Sequence, residues 1–172
     1  DDTDTAVVGK VGTMRYRTGT EYVEVTGIEL ITNGDFATDT NWIKDSEWTI
    51  SGGKANAANS VSYHRILQGE VSLSDATLYR LVFTVSNLTS GGVICVVGNN
   101  NGLGVTANGT YTQYVTSSTP SGDRLQIASN PTFTGSIDDV SLMEVTAEDA
   151  SYADMCMQTG SSTYEWVNIV RN

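Results

Sequence analysis

The sequence is short of the residues that carry most enzyme chemistry and most charge-driven binding. Its 172 residues include one histidine, two cysteines and two prolines, and nine basic residues stand against 20 acidic ones. The resulting net charge of −11 repels polyanions, so neither nucleic acid nor an anionic membrane surface is an expected partner. No apolar run approaches the roughly 20 residues that a membrane span needs. Helix formers never recur at helical spacing over three turns.

The few candidate catalytic groups lack the companions that catalysis needs. His64 is the single histidine, and no nucleophile-elbow serine or acid at a fixed spacing accompanies it. Asp138 and Asp139 are neighbours in a predicted strand, so their carboxylates point to opposite faces. That geometry is poor for two carboxylates acting across one bond. The sequence therefore predicts a protein that is not an enzyme.

The two cysteines lie far apart, each in an apolar run. Cys95 stands in VICVVG and Cys156 in DMCMQ. A free buried thiol is the interpretation that such runs favour. A disulfide between them stays open as the alternative, because two cysteines alone set no framework.

What the sequence does contain is β-structure throughout. Thr, Val, Ser, Gly and Tyr dominate, and turn signals such as TNGD, SGGK and NNNG separate short apolar or alternating runs. The predicted strands are 12–16, 22–25, 48–50, 78–85, 93–97, 111–115, 124–128, 136–145, 155–158 and 164–170. Such regular short strands in a chain of this length predict one all-β sandwich or barrel, with a jelly roll favoured and room for a small second unit.

Two runs show on which face each side chain is expected. In LYRLVFTVSN, residues 79, 81, 83 and 85 share a strongly apolar face, with polar residues alternating on the other. In GSIDDVSLMEV the same alternation places Asp138 with Val140 and Leu142, and Asp139 with Ile137. A carboxylate in register with core residues is unusual.

Several motifs resemble a known family. ELITNGDF…NW…WTISGGKA and the closing GSIDDVSLMEV are similar to the galactose-binding-like jelly rolls of carbohydrate-binding modules, particularly those in tail and head proteins of bacteriophages. The similarity covers about residues 28–146. It implies a β-sandwich jelly roll on the surface of a virion.

The flanking segments resemble a second pattern of phage fibre proteins. VGTMRYRTGTEYVEV looks like a short fibre hairpin, and SYADMCMQTGSSTYEWVNIVRN looks like the segment that follows such a hairpin directly. The resemblance implies that the jelly roll, 28–146, is inserted into a small β-rich module formed by 1–27 and 147–172. Two such short pieces build little core alone. We therefore expect this module to form a homo-oligomer, with a trimer favoured, or to dock on other virion proteins. The expected contact residues are Trp166, Val167, Ile169 and Val170.

The same resemblance implies a structural calcium ion where the first strand turns and the last strand returns. Asp35 in the opening turn and Asp138 in the closing strand match the family's ligand positions. Calcium requires several oxygen ligands, and Ala37 stands where the family has glutamate. In the alternative, Asp35 forms an Asx-turn and Asp138 accepts hydrogen bonds from backbone amides.

A sugar site requires exposed aromatic platforms beside polar groups. The carbohydrate-binding candidates are Trp42, Tyr63, Tyr111, Tyr114 and Asn100. In the alternative, Trp42 plugs one end of the core, and the asparagines of NNNG form a solvated turn.

These observations predict a non-enzymatic virion structural protein of a bacteriophage. It is expected to be a tail fibre, head fibre or capsid decoration protein whose jelly roll adheres to host surface glycans. The alternative is a carbohydrate-binding module from a secreted polysaccharide-degrading enzyme. The phage-like flanks and the lack of a Pro/Ser/Thr-rich linker argue against that alternative.

Overall fold

The chain is all-β. The computed structural model describes residue 5 and residues 7–25, 27–118 and 122–171. Within these ranges the single helical element is a 3-10 turn, Val8–Lys10. No helix in this described part is long and apolar enough to cross a membrane. The fold class predicted from the sequence is therefore confirmed.

Twelve strands are described, and their bounds are as follows. They are β1 (Met14–Arg17), β2 (Thr20–Glu24), β3 (Ile43–Lys44), β4 (Trp48–Ile50), β5 (Ala55–Ser60), β6 (Arg65–Gly69), β7 (Leu78–Val97), β8 (Asn100–Asn101), β9 (Gly109–Thr116), β10 (Arg124–Asp149), β11 (Tyr152–Gln158) and β12 (Tyr164–Arg171).

The chain divides into two compact units. Residues Asp1–Val23 and Thr146–Asn172 form one, which we call the terminal unit, and Glu24–Val145 form the other, the central unit. The role predicted for the terminal unit in oligomerisation or docking stays a prediction.

Two long strands bend so that each belongs to both layers of the central unit. Residues 124–129 of β10 pair with β6 and with 93–97 of β7. Residues 133–144 of β10 pair instead with β5 and with 79–91 of β7. The strand order is therefore β3-β6-β10-β7-β8 in the first layer and β4-β5-β10-β7-β9 in the second.

The bend of β7 requires a glycine. Gly91 has a φ of 70°, and a Cβ there would lie 1.9 Å from the carbonyl oxygen of Thr132. Any larger residue would push the two bent strands apart at the corner.

The predicted alternation in β7 is confirmed. Tyr79, Leu81, Phe83 and Val85 are buried, while the residues between them are half-buried. These four side chains join the hydrophobic core that both layers enclose. Aromatic contacts strengthen the core, because the Trp48 and Phe133 rings stack with centroids 5.5 Å apart and Phe83 stacks on Tyr111 at 5.7 Å.

The alternation predicted for the closing strand is wrong. The pairing of β10 with β7 shifts register between Asp138 and Ser141, and Asp139 adopts a φ of 51°. This bulge inserts an extra residue, so Ile137 and Val140 are both buried. Asp138 is consequently half-buried beside the core instead of standing in register with it.

The opening segment, residues 28–34, runs beside the closing strand. Leu30 N donates to Leu142 O at 3.0 Å, and Val140 N donates to Gly34 O at 2.9 Å. Asn33 organises the turn that follows. Its side chain bonds the backbone of residues 38 and 40, and its carbonyl accepts from Trp42 Nε1 at 3.0 Å. The segment therefore holds the closing strand and Trp42 in place at the edge of the core.

The terminal unit contains a three-stranded sheet in the order β1-β11-β12. Asp154, only 1% exposed, accepts a hydrogen bond from Arg15 Nε at 3.0 Å. The Arg15 guanidinium also lies over the Trp166 ring, 4.6 Å from its centroid. One ion pair and one cation–π contact thus join all three strands.

Both cysteines are free and buried, which confirms the interpretation favoured above. Burial raises the pKa of the Cys95 thiol, so this group stays protonated and unreactive near neutral pH.

Candidate functional site

The first layer carries a cleft on its solvent-facing side. Two rows of residues cross this layer, and within each row the residues are Cα partners on neighbouring strands. One row is Leu67, Gln126, Val96 and Asn101, and the other is Arg65, Ala128 and Ile94. Partners opposite each other point to the same face of a sheet. The cleft has a volume of about 280 Å³ and is lined by Tyr63, Arg65, Ile94, Val96, Asn99, Asn101, Gln126, Ala128 and Asn130.

The floor of the cleft combines apolar surface with one ordered amide. Ile94 and Val96 are half-buried, and Gln126 is 5% exposed. Gln126 Oε1 accepts a hydrogen bond from Arg65 Nη1 at 2.7 Å, which fixes the orientation of the Gln126 side chain. The floor therefore offers a flat apolar strip beside a positioned polar group.

Tyr63 lines the cleft from the turn that precedes β6. It has a φ of 66°, and its backbone N donates to Ser129 O at 3.0 Å, which anchors the turn to β10. Its side chain is 74% exposed. An aromatic ring this exposed beside an apolar floor is available for stacking.

A second depression adjoins the cleft at Asn101. It has a volume of about 310 Å³ and is lined by Asn101, Gly102, Leu103, Thr112, Gln113, Tyr114 and Val115. Gln113, 7% exposed, holds the loop in place through two 2.9 Å hydrogen bonds to the backbone of Leu103. Leu103 and Tyr114 are 76% and 39% exposed. The two depressions share Asn101 and form one elongated surface.

Two of the predicted sugar-binding residues lie on this surface, one in each depression. Tyr63 lines the cleft and Tyr114 lines the second depression. Asn100 does not line either one; its Nδ2 donates to Thr116 O at 2.7 Å and holds the turn after β7.

Trp42 and Tyr111 contribute mainly to packing. Trp42 is 6% exposed, and its ring lies 5.1 Å from that of Phe36. Its small exposed part borders a shallow depression near Glu70. The sugar-binding role of Trp42 stays a prediction, and little of its ring is open to a ligand. Tyr111 is half-buried against Phe83, and its hydroxyl donates to the backbone carbonyl of residue 107 at 2.8 Å.

The residues predicted to hold calcium have protein partners. Asp138 Oδ2 lies 3.1 Å from Lys54 Nζ, and Asp138 Oδ1 accepts from Asp139 N at 2.8 Å. Asp35 Oδ1 accepts from Ala37 N at 3.3 Å. In the described ranges no three or more His, Cys, Asp and Glu side chains converge as a metal site would require. An ammonium beside Asp138 and the missing acid at Ala37 fit calcium poorly, and the contacts match the alternative.

The histidine has an acidic partner. His64 Nδ1 lies 2.5 Å from Glu47 Oε2. The hydrogen bond from His64 lowers the pKa of the Glu47 carboxyl. His64 lies just before β6, between Tyr63 and Arg65, and Glu47 lies just before β4, so the pair ties the turn that holds Tyr63 to the start of β4.

Sequence reasoning missed Arg65, Gln126, Ile94 and Val96. Each is an outward-facing residue in a strand whose alternate positions enter the core. Their joint surface arises from three strands that are distant along the chain, and no local pattern signals it.

Comparison of the chain with protein-family models, with curated proteins and with solved structures finds no match.

Proposed function

We propose that the chain is a non-enzymatic structural protein of a tailed-bacteriophage virion, a fibre or capsid decoration protein, whose central unit binds glycans of the host surface. The resemblance of residues 28–146 to phage jelly rolls supports the setting. The two-layer sandwich and its cleft support the binding role. Such binding relies on stacking and hydrogen bonds and requires no reaction chemistry.

The observation that carries the proposal is the exposed Tyr63 ring beside the apolar floor and the ordered Gln126 amide. Sugar rings have apolar faces that stack on aromatic side chains, and their hydroxyls pair with amides. The described hydrogen bonds include none from the side-chain amides of Asn101 and Asn130, which leaves both groups available to a ligand. The second depression beyond Asn101 favours a chain of several sugars over a single one.

The test is a glycan array probed with the whole chain and with Tyr63→Ala. We expect retention of oligosaccharides by the wild type and a loss of about tenfold or more in the variant, because one stacked aromatic contributes roughly 1–3 kcal/mol when its ring is fully used. Tyr22→Ala is the matched control, since Tyr22 is 38% exposed, belongs to the terminal unit and lines neither depression. An array on which no glycan retains the wild type, or on which both variants bind alike, would contradict the proposal.

Weak binding at one site is sufficient on a particle. Many copies presented together convert later contacts into intramolecular ones, which raises the overall affinity by orders of magnitude. The array should therefore be probed with the chain immobilised on beads as well as free. Retention that appears on beads, and is absent there for Tyr63→Ala, supports the same site.

We assign the proposed oligomer contacts to the terminal unit. This unit would form a homo-oligomer, with a trimer favoured, or dock on other virion proteins. Several of its large apolar side chains are exposed in the single chain: Val7, Val11, Met14, Tyr16, Met157 and Ile169. Of the contact residues expected from the sequence, Trp166 and Val167 are half-buried and Ile169 is 40% exposed. The side chain of Val170 lies outside the described part of the structure.

Light scattering coupled to size-exclusion chromatography distinguishes the proposed function from its alternative. A trimer supports the virion protein. A compact monomer that still binds glycans favours the alternative, a carbohydrate-binding module from a secreted polysaccharide-degrading enzyme.

A further inference from the structure

We infer that the glycan bound in the cleft is acidic, an oligosaccharide of uronic acid type whose carboxylate pairs with Arg65. The inference rests on the proposed glycan binding and adds the chemical class of the ligand. It arises from a contrast between the charge of the cleft and that of the whole chain.

Among the described residues, one charged side chain lines the cleft, and its charge is positive. Of its nine lining residues, Arg65 is basic and the others are Tyr, Asn, Gln and aliphatic side chains. The chain as a whole has a net charge of −11. A lone cation on an apolar floor in such an acidic protein sets a local field opposite in sign to the global one.

Arg65 has a neutral partner in the protein. Its Nη1 donates to the Gln126 side-chain oxygen, and no carboxylate among the described residues forms an ion pair with the guanidinium. The guanidinium has five N–H donors, so most of them remain free for a ligand.

Two carboxylates that contact the chain at His64 and Arg65 bond groups other than the Arg65 guanidinium. Asp45 Oδ2 accepts from the backbone N of Arg65 at 2.8 Å. Glu47 is engaged by the His64 ring. Neither is among the residues that line the cleft, so no carboxylate of the described part of the chain faces the cleft beside Arg65.

A planar carboxylate suits this site better than a hydroxyl. An arginine fork matches the two oxygens of a carboxylate, and hydrogen bonds between charged groups are roughly twice as strong as neutral ones. The Gln126 contact holds the fork over the floor, so a sugar ring seated on Ile94 and Val96 would place a ring carboxylate within its reach.

The experiment compares each acid with its own neutral form. Oligogalacturonate, alginate oligosaccharides and hyaluronan oligosaccharides are printed beside their methyl esters and probed with the whole chain. We expect at least one acid to be retained about tenfold more tightly than its ester, a difference of about 1.4 kcal/mol. In Arg65→Gln that ratio should fall close to one, because binding of the acid falls by about tenfold more than binding of the ester, which loses only the orientation that Arg65 gives to Gln126.

Two variants complete the test. Arg65→Lys keeps the charge without the fork and should retain part of the preference for the acid. Lys10→Gln makes the same change in net charge in the terminal unit and should leave the ratio unaltered. A variant that fails to fold loses acid and ester together, so misfolding is distinguished from loss of the charge.

The outcomes separate this inference from the proposed function. If neutral glycans bind through Tyr63 and no acid binds more tightly than its ester, the inference of an acidic ligand is wrong, and the proposed glycan site is still supported. An acid preference that persists in Arg65→Gln would also overturn it. If no glycan of either kind is retained, both proposals fall.

Discussion

Replacement of Lys54 by glutamine tests what balances the charge of Asp138. Lys54 Nζ lies 3.1 Å from Asp138 Oδ2 and 3.3 Å from Ser86 Oγ, with the lysine and aspartate side chains 35% and 18% exposed. Exposed pairs are worth about 0–1 kcal/mol, and loss of one partner of a buried pair costs about 3–5 kcal/mol. For this half-buried pair we expect a loss of about 1–2 kcal/mol, or about 2–8 °C in melting temperature.

The matched control is Lys44→Gln, because Lys44 pairs with Asp39, whose side chain is 56% exposed. This variant should lose no more than about 1 kcal/mol. Both are measured by urea denaturation and by thermal melting, each in calcium chloride and in a chelator.

Calcium itself should leave the wild-type melting temperature unchanged, because the Lys54 ammonium already neutralises Asp138. A site filled at a thousand times its dissociation constant would add about 4.1 kcal/mol, which is about 8–16 °C for a chain of this size. A calcium-dependent rise of that order would refute the reasoning, and so would a Lys54→Gln variant no less stable than Lys44→Gln.

Three further predictions concern packing. Asp154→Ala removes the buried carboxylate that lies 3.0 Å from Arg15 Nε, so we expect about 3–5 kcal/mol less stability in the terminal unit, seen as faster hydrogen exchange in β11; unchanged protection would contradict this. Phe133→Ala empties a fully buried site and should cost about 3–5 kcal/mol in urea denaturation of the central unit; a loss under about 1 kcal/mol would show that its ring is not in the core. Cys95 and Cys156 should resist Ellman's reagent in the native chain and react in denaturant, and rapid native labelling would contradict their burial.

The parts of the fold that follow simple periodicity were predictable. The alternation of residues 79–85 identified a core face because every second side chain enters the sandwich. β5 was missed, since ANAANS contains only alanine, asparagine and serine, which are weak strand formers. Its pairing with β4 and β10 decides its conformation.

The alternation predicted for the closing strand was wrong for a different reason. The bulge near Asp139 shifts the period by one residue, and a count of apolar positions cannot detect an inserted residue. The same holds for the cleft, because Arg65 and Gln126 meet only once β6 and β10 are paired. Trp42 was ambiguous from sequence alone, since a tryptophan suits a core plug and a sugar platform equally well.

The most direct measurement of the binding role is an amide NMR titration of the isotopically labelled chain with the oligosaccharide that the array retains best. The account predicts that chemical-shift changes concentrate on Tyr63, Arg65, Val96, Asn101 and Gln126 and saturate together. Changes centred on another face of the molecule, or none at saturating oligosaccharide, would contradict it.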